Sequence, residues 1–203
     1  MMLSPHSPFY CAHCIHCRLS QAHCVCCQIE RIELPFNINL CCHSKEWQRN
    51  DNTGQWALLS SANIRRIKWH RKTELIFPAI LTAEITAETG HYLLFPSDDA
   101  QDIQQVSPST AQAIKQLWVI DGTWQEAQKM LLQSPWLKAL PRVKIQASPK
   151  QALESHFQLR RNQQGLCTLE AIEAAIDNQA PLAAQALNRN FHLFQNALLG
   201  LLR

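Results

Sequence analysis

The run Leu117-Trp118-Val119-Ile120, followed at once by Asp121-Gly122-Thr123-Trp124, restricts this chain more than any other stretch. A short apolar run bounded by turn residues reads as a buried β-strand. Thr123 and Glu126 have the S/T-x-x-E spacing of a capping box, so a helix is expected to start near Trp124. Asp121 then stands where a strand hands over to a helix. In an open α/β sheet that point faces the crevice where ligands bind. Gly122 permits a sharp turn or a close approach of backbone to ligand.

The rest of the chain supplies a sheet for that strand. Ile32–Cys42 reads as a first strand region, with Phe36–Cys42 its buried part and Cys41 and Cys42 packing residues. Asn52-Thr53-Gly54 opens a helix to about Ala62, with Asn52 or Thr53 as its cap. Ile64–Trp69 is a short strand, Leu75–Thr82 an apolar run broken by Pro78, and His91–Phe95 a strand ended by Pro96. The helix from Trp124 extends to about Leu140 with an interruption at Ser134-Pro135. Val143–Ala147 is a strand and Thr168–Asn178 a helix. Leu187, Phe191, Phe194 and Leu198 mark a C-terminal amphipathic helix that packs into the core. Alternating strands and helices imply an α/β sheet with helices on its faces.

A second signal lies near the N-terminus. Cys14-x2-Cys17-x6-Cys24-x-Cys26 gathers four of the nine cysteines into thirteen residues. Paired thiolates one or two residues apart chelate one metal from a tight turn, and four make a closed structural zinc site. Cys11 and Cys27 flank the set, and His13, His16 and His23 lie between those two, so the ligands could be drawn differently; the alternative is a run of metal-free thiols. The spacing does not continue as a ferredoxin-type iron–sulfur run does. A structural zinc has no open position, so no catalysis is assigned to it. The chain therefore divides into a Cys-rich segment, residues 1–30, and a main domain, residues 31–203.

Composition limits the partners. The formal charge of +3 permits an anionic partner without demanding one. No apolar run approaches the roughly 18 residues of a membrane span. Met1 to Pro8 lacks the order of a secretory signal, and the odd, clustered cysteines suit reduced thiols, so a cytoplasmic location is the expectation. No obligate protein partner is evident.

Taken together, these motifs resemble those of the DTW-domain family, the tRNA-uridine aminocarboxypropyltransferases. The resemblance is carried by Asp121-Gly122-Thr123-Trp124 with Ala127, Lys129-Met130 and Ser134-Pro135, and by the cysteine set. Asn52-Thr53-Gly54, Leu94-Phe95-Pro96, Ser155-His156-Phe157-Gln158-Leu159-Arg160 and Cys167-Thr168-Leu169-Glu170-Ala171 add to it. Phe157 stands where the family commonly has tyrosine, so no phenol role is assigned there. The resemblance implies a SPOUT-like sheet with helices on both faces and a C-terminal trefoil knot. It implies transfer of the 3-amino-3-carboxypropyl group from S-adenosylmethionine to N3 of a tRNA uridine, releasing methylthioadenosine. The rivals are a methyltransferase of the same knotted kind and a non-enzymatic zinc-ribbon RNA-binding module.

Roles follow from that chemistry. Asp121, Thr123 and Trp124 are the catalytic candidates. Asp121 takes the N3 proton as general base or holds the cofactor's amino group, and Trp124 stacks on a base or packs its helical turn. Phe95, Pro96, Asp121, Gly122, Arg160, Thr168 and Glu170 are the cofactor candidates. Arg160 matches a carboxylate with two parallel bonds, or else meets solvent or RNA. Glu170 binds the amino group or simply favours its helix N-terminus. For RNA, Arg65, Arg66 and Arg71 surround Trp69, although strand alternation would split them between two faces. Asn52 and Thr53 either present backbone N–H groups to a phosphate or only cap their helix.

Overall fold

The computed structural model describes residues 13–69, 90–146 and 166–200. Six strands are present: β1 (Asn37–Cys42), β2 (Ile64–Lys68), β3 (His91–Leu94), β4 (Gln101–Asp102), β5 (Gln116–Asp121) and β6 (Arg142–Lys144). They form one sheet in the order β2-β1-β5-β3-β6-β4, and every neighbouring pair is parallel. The helices are α1 (Thr53–Ser60), α2 (Pro108–Ala113), α3 (Trp124–Leu132), α4 (Pro135–Lys138), α5 (Thr168–Ile176) and α6 (Pro181–Gly200).

A parallel sheet is covered on both faces, which is why its central strands are nearly unbroken apolar runs. Successive side chains then serve opposite cores. Ile38, Leu40, Leu117 and Val119 join Trp56 of α1, Leu169 and Ile172 of α5, and Phe191 and Phe194 of α6. Cys41, Leu93 and Trp118 join Ala127 and Met130 of α3 and Leu137 of α4 on the other side. Trp56 lies flat on Phe194, ring centroids 5.2 Å apart. Burying each such side chain stabilises the fold by roughly 1.5–3 kcal/mol. Helices therefore cover both faces, as the sequence implied.

This arrangement decides where a ligand can sit. β1 and β5 are neighbours, with Cys42 paired to Asp121 at their carboxyl ends. The chain leaving β1 goes to α1 on one face, and the chain leaving β5 goes to α3 on the other. The two connections diverge, and the carboxyl ends of β1 and β5 form the topological switch point of the sheet.

The N-terminal cysteine segment does not stand apart. Cys14, Cys17, Leu19 and Val25 belong to the same buried cluster as Trp56 and Phe191. The chain after it is fastened by Asn190 of α6, which donates to the Glu30 carbonyl (2.8 Å) and Ser60 Oγ (3.1 Å) and accepts from the Glu30 N–H (2.9 Å).

Most element boundaries match expectation. α3 starts at Trp124 with both halves of its capping box made, and α4 restarts at Pro135 after Ser134. α6 begins at Pro181, ahead of its first apolar marker, and α1 ends at Ser60. β4 and α2 were not read from sequence. A two-residue strand has no periodicity, and α2 rests mainly on its Ser107 cap, which accepts from the Thr110 N–H. The apolar run Leu75–Thr82 lies outside the described residues. A trefoil knot depends on the course of residues 147–165, also outside them. Among the described residues, no helix is long and apolar enough to cross a membrane.

Candidate functional site

Two places gather side chains with chemistry to offer. The first is the cysteine cluster. The Sγ atoms of Cys14, Cys17, Cys24 and Cys26 all lie within 4.8 Å of one another, and none is in a disulfide. Cys14 to Cys26 and Cys17 to Cys24 are each 3.8 Å. Tetrahedral zinc with Zn–S bonds of about 2.3 Å requires sulfur atoms about 3.8 Å apart, so the donor set fits that ion. The knuckle is shaped by the Cys14 N–H donating to the Leu19 carbonyl at 2.7 Å, with Arg18 at φ 65° in the turn. The surplus donors are turned to other work. His23 Nδ1 pairs with Ser20 Oγ at 2.8 Å, and Cys27 is exposed. Cys11 lies outside the described residues.

The second place is the switch point. Asp121 ends β5 with 2% of its surface exposed. Its carboxylate accepts from Thr168 Oγ1 at 2.8 Å and from Asn52 Nδ2 at 3.1 and 3.3 Å, and pairs with Arg66 Nη2 at 3.5 Å. Asn52 is the N-cap of α1, and its Oδ1 accepts from the Gln55 N–H at 2.8 Å. Gly54 has no side chain for a steric reason: a Cβ there would stand 2.7 Å from Asp121 Oδ2. One carboxylate thus fastens the starts of α1 and α5, and β2, to the end of the central strand.

Arg66 is the counter-ion. Its side chain is 3% exposed. Nη1 donates to Gln55 Oε1 (2.8 Å), Nη2 donates to Asn52 Oδ1 (2.9 Å), and the guanidinium lies 4.7 Å above the Trp47 ring. Gln55 in turn donates to the His16 carbonyl at 3.0 Å, so the cysteine segment touches this network directly. Burial, and then the Asp121 charge, pushes the Cys41 thiol up to about 12 and raises the Cys42 thiol as well.

Beside Asp121 stands a second pair. His43 follows β1 as Gly122 follows β5, and the His43 N–H donates to the Asp121 carbonyl at 2.9 Å. His43 Nδ1 is 3.2 Å from Glu126 Oε1. Glu126 Oε2 accepts from the Thr123 N–H at 3.0 Å, closing the capping box of α3. Burial opposes ionisation of Glu126, yet the Thr123 N–H and hydroxyl, then His43 and Lys45, hold its carboxyl below the usual carboxylate range. The His43 ring stacks on Trp69, centroids 5.7 Å apart.

The residues singled out from sequence fall into three groups. Asp121, Gly122, Thr123, Thr168, Asn52, Thr53 and Arg66 come together at the switch point. Trp124 is 54% exposed and stacks on Phe95 (5.2 Å, 11°), beside exposed Pro96. Glu170 Oε2 accepts from the Cys167 N–H at 2.8 Å, which is a capping position. Arg71 and Arg160 lie outside the described residues.

Placement bears on Asp121 and corrects the reading of Arg66. A general base needs a lone pair within reach of its substrate. The Asp121 carboxylate faces inward among three donors, Thr168, Asn52 and Arg66, which fasten it within the site. Arg66 is not part of a solvated basic face. Strand alternation sends Arg65 outward, where its Nε donates to Asn39 Oδ1, and turns Arg66 in toward Asp121. Asn52 and Thr53 are likewise buried, with Asn52 serving as the cap. His43 and the steric role of Gly54 were missed. The signal for His43 was its position: it follows the apolar run of β1 just as Asp121 concludes that of β5.

A family model described as DTW domain matches residues 11–199. No solved structure matches the chain.

Proposed function

The chain belongs to the DTW-domain family, matched over nearly its whole length, and on that premise we propose that this tRNA-modifying protein transfers the 3-amino-3-carboxypropyl group of S-adenosylmethionine to N3 of a tRNA uridine. The observation that carries the reading is the family's Asp-x-Thr-Trp element at the carboxyl end of β5, at the sheet's switch point, with Thr168 and Asn52 drawn onto Asp121.

The reaction sets three tasks. The N3 proton must leave as N3 attacks, the bond from carbon to sulfur must break with its electrons going to sulfur, and one of three sulfonium carbons must be chosen. The last is a matter of alignment at near-attack distance. A pre-built crevice floor suits that task. Asp121 holds β5, α1, α5 and β2 in fixed relation, and Gly122 leaves backbone free for close approach. Exposed Trp124, flat on Phe95, offers a surface on which a nucleobase can stack. In this reading Phe95, Pro96, Gly122, Thr168 and Glu170 border the donor, and Arg160 takes its carboxylate. Arg65 and Arg71 serve the RNA. Zinc held by Cys14, Cys17, Cys24 and Cys26 stabilises the N-terminal segment, which buttresses α1 through Gln55.

The test is nucleoside mass spectrometry of tRNA incubated with the zinc-loaded protein and S-adenosylmethionine. The expected products are a uridine bearing the 3-amino-3-carboxypropyl group and methylthioadenosine. A methylated nucleoside with S-adenosylhomocysteine would overturn the reading in favour of methyl transfer. RNA binding with no product would leave only a binding module.

A further inference from the structure

With the Asp121 carboxylate committed to Thr168, Asn52 and Arg66, the proton on uridine N3 needs another acceptor. A carboxylate only accepts hydrogen bonds, so an imidazole nitrogen facing one carries the proton. Glu126 Oε1, 3.2 Å away, therefore places the hydrogen on His43 Nδ1 and leaves the lone pair on Nε2. The Lys45 N–H donates to the same Nδ1 at 3.4 Å, in the opposite sense; that contact is long and neutral, and the full charge of the nearer carboxylate favours the Nδ1–H tautomer over it. Among the described residues, Nε2 has no hydrogen-bond partner. Glu126 cannot swing away, because its second oxygen is held by the Thr123 N–H. Trp69 fixes the plane of the ring, and is itself tied by its Nε1–H to Ser134 Oγ at 3.0 Å. The side chain keeps 10% of its surface open. A nucleophile's base, oriented by a carboxylate that a third group anchors, is the arrangement used wherever a neutral imidazole must take a proton.

We propose that His43 Nε2 takes the N3 proton of the acceptor uridine, with Glu126 as the positioning residue that sets its tautomer. The inference rests on the transferase reading above. As N3 bonds to carbon, the carbon–sulfur bond breaks, its electron pair neutralises the sulfonium, and the N3 proton passes to Nε2 to give imidazolium, which solvent later discharges. Thr123 gains a purpose beyond starting a helix: its cap is what anchors Glu126.

The experiment compares wild type with His43→Gln, His43→Ala and Glu126→Gln, measuring methylthioadenosine and modified uridine at saturating S-adenosylmethionine and tRNA, beside melting curves. Gln at position 126 still fits the capping box but presents an amide to Nδ1 and removes the tautomer preference. His43→Gln is expected to lower kcat about 100-fold or more, in the range of lost acid–base catalysis, with KM for both substrates within a few-fold. Glu126→Gln is expected to lower kcat with its melting unchanged. Added imidazole is expected to restore part of the His43→Ala rate and none of the Glu126→Gln rate. Turnover near wild type in folded His43→Gln would overturn the assignment. Should the His43 variants fail to fold, full turnover by Glu126→Gln overturns it and a selective kcat loss supports it. Wild type that forms no modified uridine at all overturns the transferase reading itself, and the role of His43 with it.

Discussion

Replacing Gly54 by alanine sets two rules against each other. Gly54 is the second residue of α1, and helix propensity alone makes Gly→Ala stabilising by about 1 kcal/mol. The structure predicts the reverse sign. The new Cβ would lie 2.7 Å from Asp121 Oδ2, 2.9 Å from Cγ and 3.2 Å from Oδ1. A flexible carboxylate on the surface would step aside. This one is held by Thr168, Asn52 and Arg66, so moving it lengthens charge-assisted hydrogen bonds. Overpacking of this kind costs about 1–3 kcal/mol, and a hydrogen bond to a charged group contributes about 1.5–3 kcal/mol. With one such bond weakened and the helix gain subtracted, the net loss is about 2 kcal/mol. For a chain of this size that lowers the melting temperature by roughly 4–8 °C. Gly200→Ala is the control, since the nearest atom to a Cβ there is His23 Cδ2 at 3.9 Å, and its melting temperature should not fall. Thermal melts of zinc-loaded protein, read side by side, decide the matter. A Gly54→Ala protein that melts at or above wild type refutes the claim that the Asp121 carboxylate is rigidly placed.

Four further outcomes are expected. Cys17→Ser should lose zinc by elemental analysis and melt lower, with a smaller effect on turnover of the protein that remains folded, because the cluster supports α1 through the Gln55–His16 contact. Arg66→Ala should destabilise by about 3–5 kcal/mol in denaturant titration, since it strands a buried carboxylate, and Arg66→Lys should not recover the loss because an ammonium cannot serve Gln55, Asn52 and Asp121 together. Asn190→Leu should cost about 2–5 kcal/mol by leaving the Glu30 N–H and carbonyl without partners, and far-UV circular dichroism should show the helices retained at low temperature. Cys41 predicts an alkaline limb: its folded pKa, about 12 against 9.0, is raised, so its contribution is complete below about pH 9 and is lost as pH climbs toward 12. The slope is about 1.4 kcal/mol per pH unit, so the stability gap between wild type and Cys41→Ala should narrow steadily above pH 9. A constant gap would contradict the burial of that thiol.

Local chemistry was legible wherever a signal and its consequence lie within a few residues. The Thr123–Glu126 capping box set the start of α3 at Trp124, and Ser134-Pro135 set the restart at α4. The spacing of Cys14, Cys17, Cys24 and Cys26 announced a four-sulfur cluster, and the folded chain brings those atoms to metal-binding separation. What a residue does across the sheet was not legible. Arg65 and Arg66 are adjacent and chemically alike, yet alternation places one guanidinium outward and the other under Asp121. Nothing local distinguishes them, because the distinction depends on which face α1 covers.

The chain's order of residues determined by itself that a strand would end in a carboxylate at a helix start, that this strand would belong to an α/β sheet, and that a zinc-sized set of thiols would lie near the N-terminus. These rest on backbone geometry and short-range hydrogen bonds, which any segment carries wherever it is placed. Only the tertiary structure decided that Asp121 would be enclosed, and that His43, which follows β1 at the end adjacent to that of β5, would meet Glu126. Those outcomes depend on strand order and on the divergence of two connections to opposite faces, relations between distant segments that exist only once the sheet has assembled.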